Sequence, residues 1–118
     1  MQEIIKDLRD QGCDTDGALA RFLGDTEMYL DFLFKFTKEP AFDMLLESLE
    51  KKDYQEAFNA AHTLKGSAAA LGLTPLYESV CKVVEDLRGL RDLDSLREDY
   101  DEMQSAQQDF LKIMGGTD

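Results

Sequence analysis

A chain of 118 residues with 25 acidic against 13 basic side chains carries a net charge of −12, which repels a phosphate backbone or an anionic bilayer and argues against nucleic acid or membrane as direct partners. Apolar residues make up 43% and there are only 2 prolines; with β-branched runs scarce, this fits one ordered all-α domain whose core needs no metal or disulfide. Cys13 and Cys81 stand far apart in no C-x-x-C arrangement, and neither a signal region nor a run approaching about 18 apolar residues is present, so a cytoplasmic protein with free thiols is expected.

In chain order, Ile4, Ile5 and Leu8 precede Gly12 at helical spacing, which predicts a short docking helix within residues 1 to 11. Asp14-Thr15-Asp16-Gly17 is a turn or helix-start signal ahead of Leu19, Phe22 and Leu23, and Gly24-Asp25 breaks the pattern again. From Thr26 to Lys38 the chain is apolar on more than one face, through Met28, Tyr29, Leu30, Phe32, Leu33, Phe34 and Phe36. One face should meet a bundle and another should lie under the N-terminal helices; an exposed apolar rim for a partner is the functional alternative.

Glu39-Pro40 marks a boundary, after which Phe42, Leu45, Leu46 and Leu49 define a helix near 41 to 52. The next helix, near 54 to 72, is closed by Gly72, with Thr74-Pro75 placed as cap and first residue of a helix near 75 to 89. That helix carries Leu76, Val80, Val83, Val84 and Leu87 inward. Leu93, Leu96, Tyr100, Met103, Gln107, Phe110 and Met114 then alternate three and four apart over 92 to 114, a bundle seam rather than a dimeric coiled coil, so a monomer is expected. The fold class is all-α: an antiparallel up-down four-helix bundle with additional N-terminal helices. It forms a single domain over 1–118 with its bundle core at about 26–114 and a frayed tail at 115–118. Which helices count as the four is left open.

The most informative stretch is Ala60-Ala61-His62-Thr63-Leu64-Lys65-Gly66-Ser67-Ala68-Ala69-Ala70-Leu71-Gly72, which holds the only histidine. Ala57, Ala60, Ala61, Leu64, Ala68 and Leu71 form one core stripe, and at about 100° per residue His62 lies roughly 160° from Leu64, facing water. Phe58, Lys65, Gly66 and Ala69 surround it on the helix surface. A glycine inside a helix costs about 1 kcal/mol relative to alanine, and Gly66 lies away from the core. Its role is access: a side chain there would block a partner bringing an acceptor atom to the imidazole. Lys65 supplies a flexible positive charge able to neutralise a phosphoryl group.

These residues carry a resemblance. His62-Thr63-Leu64-Lys65-Gly66-Ser67-Ala68 with Leu71-Gly72 is similar to the signature of histidine-containing phosphotransfer (HPt) domains of two-component phosphorelays. Ala18-Leu19-Ala20-Arg21-Phe22-Leu23-Gly24-Asp25, with Tyr29, Phe32-Leu33 and Phe36, resembles the bacterial branch. The resemblance covers roughly residues 14 to 112. It implies that His62 is a phosphoacceptor, taking the group from a receiver-domain aspartyl phosphate or giving it to one. The partners implied are response-regulator receiver domains and a hybrid sensor histidine kinase. Such a protein is a phosphoryl carrier, not an enzyme with its own kinase or phosphatase activity, and has no cofactor of its own, Mg²⁺ being supplied by the receiver.

Phe58, Ala69 and Leu73 are candidates for the partner-binding rim, and the resemblance allows Arg88, at the end of the following helix, to contact the phosphoryl group or the receiver. Enzyme machinery is otherwise missing from the pattern. Lys65-Gly66-Ser67 has P-loop letters in the wrong order on the wrong element, a hydrolase triad lacks an orienting carboxylate near His62, and one outward histidine cannot make a bundle metal site. The competing reading is a non-catalytic receiver-binding or helix-binding module. Met1 and the lack of linker sequence favour a free-standing protein over a domain cut from a larger kinase.

Overall fold

The computed structural model describes residues 2–90 and 93–115. In chain order they form α1 (Gln2–Asp10), α2 (Thr15–Arg21), α3 (Thr26–Phe36), α4 (Pro40–Glu50), α5 (Tyr54–Ala70), α6 (Thr74–Leu87), a 3-10 turn (Arg88–Leu90) and α7 (Leu93–Gly115). Local chemistry explains most starts. The carboxylates of Asp14, Asp25 and Asp53 accept from the N–H groups of Gly17, Met28 and Glu56 at 3.0, 3.1 and 3.3 Å. Glu39 accepts from the Ala41 N–H ahead of α4, whose first residue is Pro40. Each cap satisfies a donor that the helix itself leaves free. The start of α6 departs from expectation: Leu73 is the cap residue, no side chain caps it, and Thr74 is already helical. With Pro75 in the first turn, one of the donors needing a cap does not exist.

Helices α4, α5, α6 and α7 pack each against the next. Joined by short connections, they are the antiparallel four-helix bundle, and this settles which four of the helices count. The stripe Ala57, Ala60, Ala61, Leu64, Ala68 and Leu71 is buried throughout, as are Leu76, Val80, Val83, Val84 and Leu87 on α6. On α7, Leu96, Met103, Phe110 and Met114 close the core. The side chain of Leu93, and the expected tail beyond Gly115, which itself ends α7, lie outside the described residues.

The core also reaches further toward the N-terminus than position 26, because Ile5, Leu8, Thr15 and Ala18 are buried. Helix α1 lies chiefly on α7 and α2. Tyr29, Leu30, Leu33 and Phe36 of α3 turn inward, and the Phe36 ring meets Phe42 of α4 at 5.3 Å and Phe110 of α7 at 5.8 Å. The second apolar face of α3 stays largely open. Met28 and Phe32 are 45% exposed and Phe34 44%, and Phe22 lies across this region, 5.3 Å from Phe32 and 5.6 Å from Tyr29. The expected cover by N-terminal helices is therefore partial, since α1 spends its apolar face on α7.

The C-terminus of α5 is held from outside the bundle. Gly72 takes φ +70°, with Leu73 N–H donating to Ala68 O and Gly72 N–H to Ala69 O, the paired bonds of a Schellman ending. The same stretch of carbonyls is met from outside the bundle: Arg21 Nη1 of α2 donates to Ala69 O and Ala70 O at 3.2 and 3.1 Å, Tyr29 Oη of α3 to Leu71 O at 2.8 Å, and the N–H of Asp14, which caps α2, to Gly72 O at 2.8 Å. A Cβ on Gly72 would run into the Asp14 carbonyl, so only glycine allows the approach.

Burial, with smaller contributions from Cys13 and Asp14 and against the pull of Arg21, pushes the Tyr29 phenol far above its usual value. A pKa higher in the folded than in the unfolded chain gives stability that is complete below about pH 10 and is lost as pH rises toward the folded value. Tyr29→Phe is therefore expected to lower stability by about 1–2 kcal/mol at pH 7, because Leu71 O loses its partner, and to soften the alkaline loss above about pH 10. Urea melts at both pH values check this; an unchanged midpoint at pH 7 would show that the hydroxyl does not hold this corner.

Candidate functional site

His62 sits in the middle of α5 on the face opposite the buried stripe and is exposed. Its helix position follows from the sequence around it: alanines at 57, 60, 61 and 68 fit the narrow space beside α4 and α6, which fixes the rotation of α5 and turns 62, 66 and 69 outward. One turn before the imidazole is Phe58, half-buried, its ring centroid 6.0 Å from that of His62. The guanidinium of Arg88 lies over the same Phe58 ring at 5.4 Å. Arg88 is thereby brought from the end of α6 to the edge of the His62 face, while its Nε donates to Glu85 Oε2 at 3.2 Å.

On the C-terminal side, Lys65 is half-buried, and Gly66 and Ala69 are exposed. A Cβ built on Gly66 meets nothing within 4 Å. No packing inside the chain requires that glycine, and its effect is to leave the surface one turn from His62 without a side chain. The structure corrects one member of the expected rim: Leu73 is 1% exposed. Its place immediately after Gly72 in the Schellman ending turns its side chain into the core, so it cannot touch a partner.

The charge around α5 contrasts with the rest of the molecule. Between Glu56 and Glu78 the sequence has no acidic residue, although the chain as a whole has 25. Among the described residues no carboxylate lies within ion-pair distance of Arg21, Lys35 or Lys65, while Arg9, Lys82 and Arg88 each have one. Lys65, one turn from His62, therefore stands without a carboxylate partner on an otherwise acidic protein. Among the described residues there is also no group of three or more His, Cys, Asp or Glu side chains able to hold a metal ion, and no helix is long and apolar enough to cross a membrane.

Two contributors were not anticipated from sequence. Arg21 and Tyr29 hold the end of the histidine helix, yet their contacts lie more than 40 positions away along the chain, and nothing local to them announces a helix end. Beside them Leu23, just before Gly24 where α2 has ended, is 94% exposed with φ +56°.

An open helical bundle presenting one exposed histidine on an alanine-rich helix belongs to the class of surface-histidine carrier domains. The Hpt domain family model matches residues 17–110, and the chain belongs to the Hpt domain family. Compared with curated proteins and with solved structures, the chain matches none. The family's role is histidine phosphotransfer in phosphorelays, as a carrier rather than a kinase or phosphatase, through interaction with receiver domains.

Open space at Gly66 gives a direct test of its structural role. Gly66→Ala is expected to stabilise the protein by about 0.5–1 kcal/mol through helix propensity alone, read as a raised melting temperature. A lowered one would mean that the surface at this position is not free.

Proposed function

We propose that His62 is the phosphoacceptor, taking a phosphoryl group from the aspartyl phosphate of one receiver domain and passing it to another in a multistep relay. The observation that carries this reading is the pairing of an exposed imidazole with unobstructed surface at Gly66 one turn on. Neutral imidazole, its proton on Nδ1, attacks phosphorus through the Nε2 lone pair. The N–P bond forms as the P–O bond to the aspartate breaks, the electron pair leaves with the carboxylate, and the Nδ1 proton is available for release to water. The return reaction reverses each change.

Lys65 draws its charge toward the phosphoryl oxygens during transfer, and Arg88, seated on Phe58, offers a second cation from the other side. Mg²⁺ resides on the receiver and supplies charge neutralisation from the partner's side of the complex. Exposed Ala69, half-buried Phe58 and the open face of α3 supply the contact surface, with the protein acting as a cytoplasmic monomer between a hybrid sensor kinase and its response regulators. A module that merely bound receivers would have no use for a free imidazole beside an unshielded glycine.

The deciding experiment is incubation with a panel of phosphorylated receivers and Mg²⁺. Wild type is expected to gain an acid-labile, base-stable label that His62→Gln lacks, with the melting temperature of the variant almost unchanged. Label on both proteins, or on neither despite measurable binding, removes the proposal. Gly66→Gln is expected to slow transfer by tenfold or more while leaving the fold intact; wild-type rates would remove the access role given to Gly66.

A further inference from the structure

The turn between α2 and α3 contains a residue that the fold neither needs nor favours. Gly24 N–H donates to Leu19 O at 2.8 Å and Leu23 N–H to Ala20 O at 3.0 Å, a second Schellman ending, here closing α2. The left-handed position in such an ending ordinarily falls to glycine. Here Leu23 occupies it, with φ +56°, and Gly24 follows at φ +78°. The leucine side chain is strained by its backbone and 94% exposed, so it gains almost nothing from burial in return.

Its surroundings are fixed. Arg21, two residues earlier, is bonded to the carbonyls of Ala69 and Ala70, and Phe22 lines a groove with Phe32, Lys35, Ser67 and Ala70. The turn thus stands at the C-terminal end of the His62 face. Ala69 is seven residues from His62 on that face, a rise of about 10 Å. An interface of standard size covers about 800 Å² on each partner, a disc of roughly 16 Å radius. A partner centred on His62 therefore reaches this end of α5, and Arg21, Lys35 and Lys65, none of them ion-paired to a carboxylate among the described residues, border the path.

The geometry points to Leu23 as a specificity-determining anchor for the receiver domain that exchanges phosphoryl with His62, inserted into an apolar recess of that receiver at the margin of the contact, away from its phosphorylated carboxylate. The inference rests on the phosphotransfer reading and adds to it which residue selects the partner. Leucine at this position is explained by what it touches in the complex: the exposed side chain is buried there, and the backbone strain is carried in the free protein as the condition for presenting it.

The test uses two variants that suit a left-handed backbone, Leu23→Gly and Leu23→Asn, titrated against the tightest-binding receiver of the panel, labelled with a fluorophore for anisotropy. Both variants are expected to melt at or a few degrees above wild type, to bind that receiver about tenfold more weakly, and to show transfer with raised KM and nearly constant kcat. Phosphorylation of His62 by phosphoramidate, a donor too small to use the turn, should stay at the wild-type rate.

Wild-type affinity in both variants overturns the anchor, as does a fall of more than about 5 °C in melting temperature, which would make Leu23 a structural residue. Weakened binding together with a receiver that never labels His62 in the wild type keeps Leu23 as the contact and removes the phosphotransfer reading instead. Absence of binding by every receiver removes both.

Discussion

The last turn of α5 is where this structure is decided. A helix that must leave one face bare cannot be wrapped by neighbours on every side, and its C-terminal carbonyls would ordinarily be left to solvent. Here a guanidinium, a phenol and a backbone N–H from two preceding helices meet the carbonyls of residues 69–72. The clamp ends the helix, seals the top of the core and seats α2 and α3 beside the exposed stripe in one set of bonds. Because Gly72 lets the chains approach closely, the clamp is backbone to backbone at its centre, which is stiffer than a contact made through two flexible side chains.

The division of labour among the helices follows from that. α5 is rich in alanine, and an alanine buries little area, so the histidine helix contributes modestly to the hydrophobic free energy of the bundle. Larger side chains elsewhere make up the difference: Leu76, Val80, Val83, Val84 and Leu87 on α6, the aromatic cluster of Phe36, Phe42 and Phe110, and Met103 and Met114 on α7. Small residues on α5 serve position more than cohesion. They let α4 and α6 come close enough to fix its rotation, so that the exposed face is held on a rigid element rather than on a loop.

Much of this was legible in the sequence because helical periodicity is a short-range signal. The stripe through Ala57, Leu64 and Leu71 set the rotation of α5, and with it the outward position of His62 and the isolation of Gly66. Helix boundaries fell within two residues of their expected places because Asp25, Glu39-Pro40, Asp53 and Gly72 act within one turn of themselves. Leu73 was misread for the same reason the others succeeded: beyond Gly72 the helical wheel no longer applies, and a left-handed glycine redirects the next side chain by an amount no periodic pattern contains. The reach of Arg88 to Phe58 and of Arg21 to α5 depends on how helices pack, which spacing along one chain does not encode. α3 was ambiguous because it is apolar on two faces, and only tertiary structure shows which of them stays open.

Gly66 and Ala69 have a consequence for shape. With no side chain larger than a methyl group rising beside it on that flank, the imidazole stands on a ridge rather than in a recess. A convex site cannot enclose a small molecule or strip water from one, so it cannot discriminate among small ligands. A surface of this shape suits a concave face on a macromolecule better than a small ligand. In the phosphotransfer reading, enclosure of the reacting group is the partner's to supply.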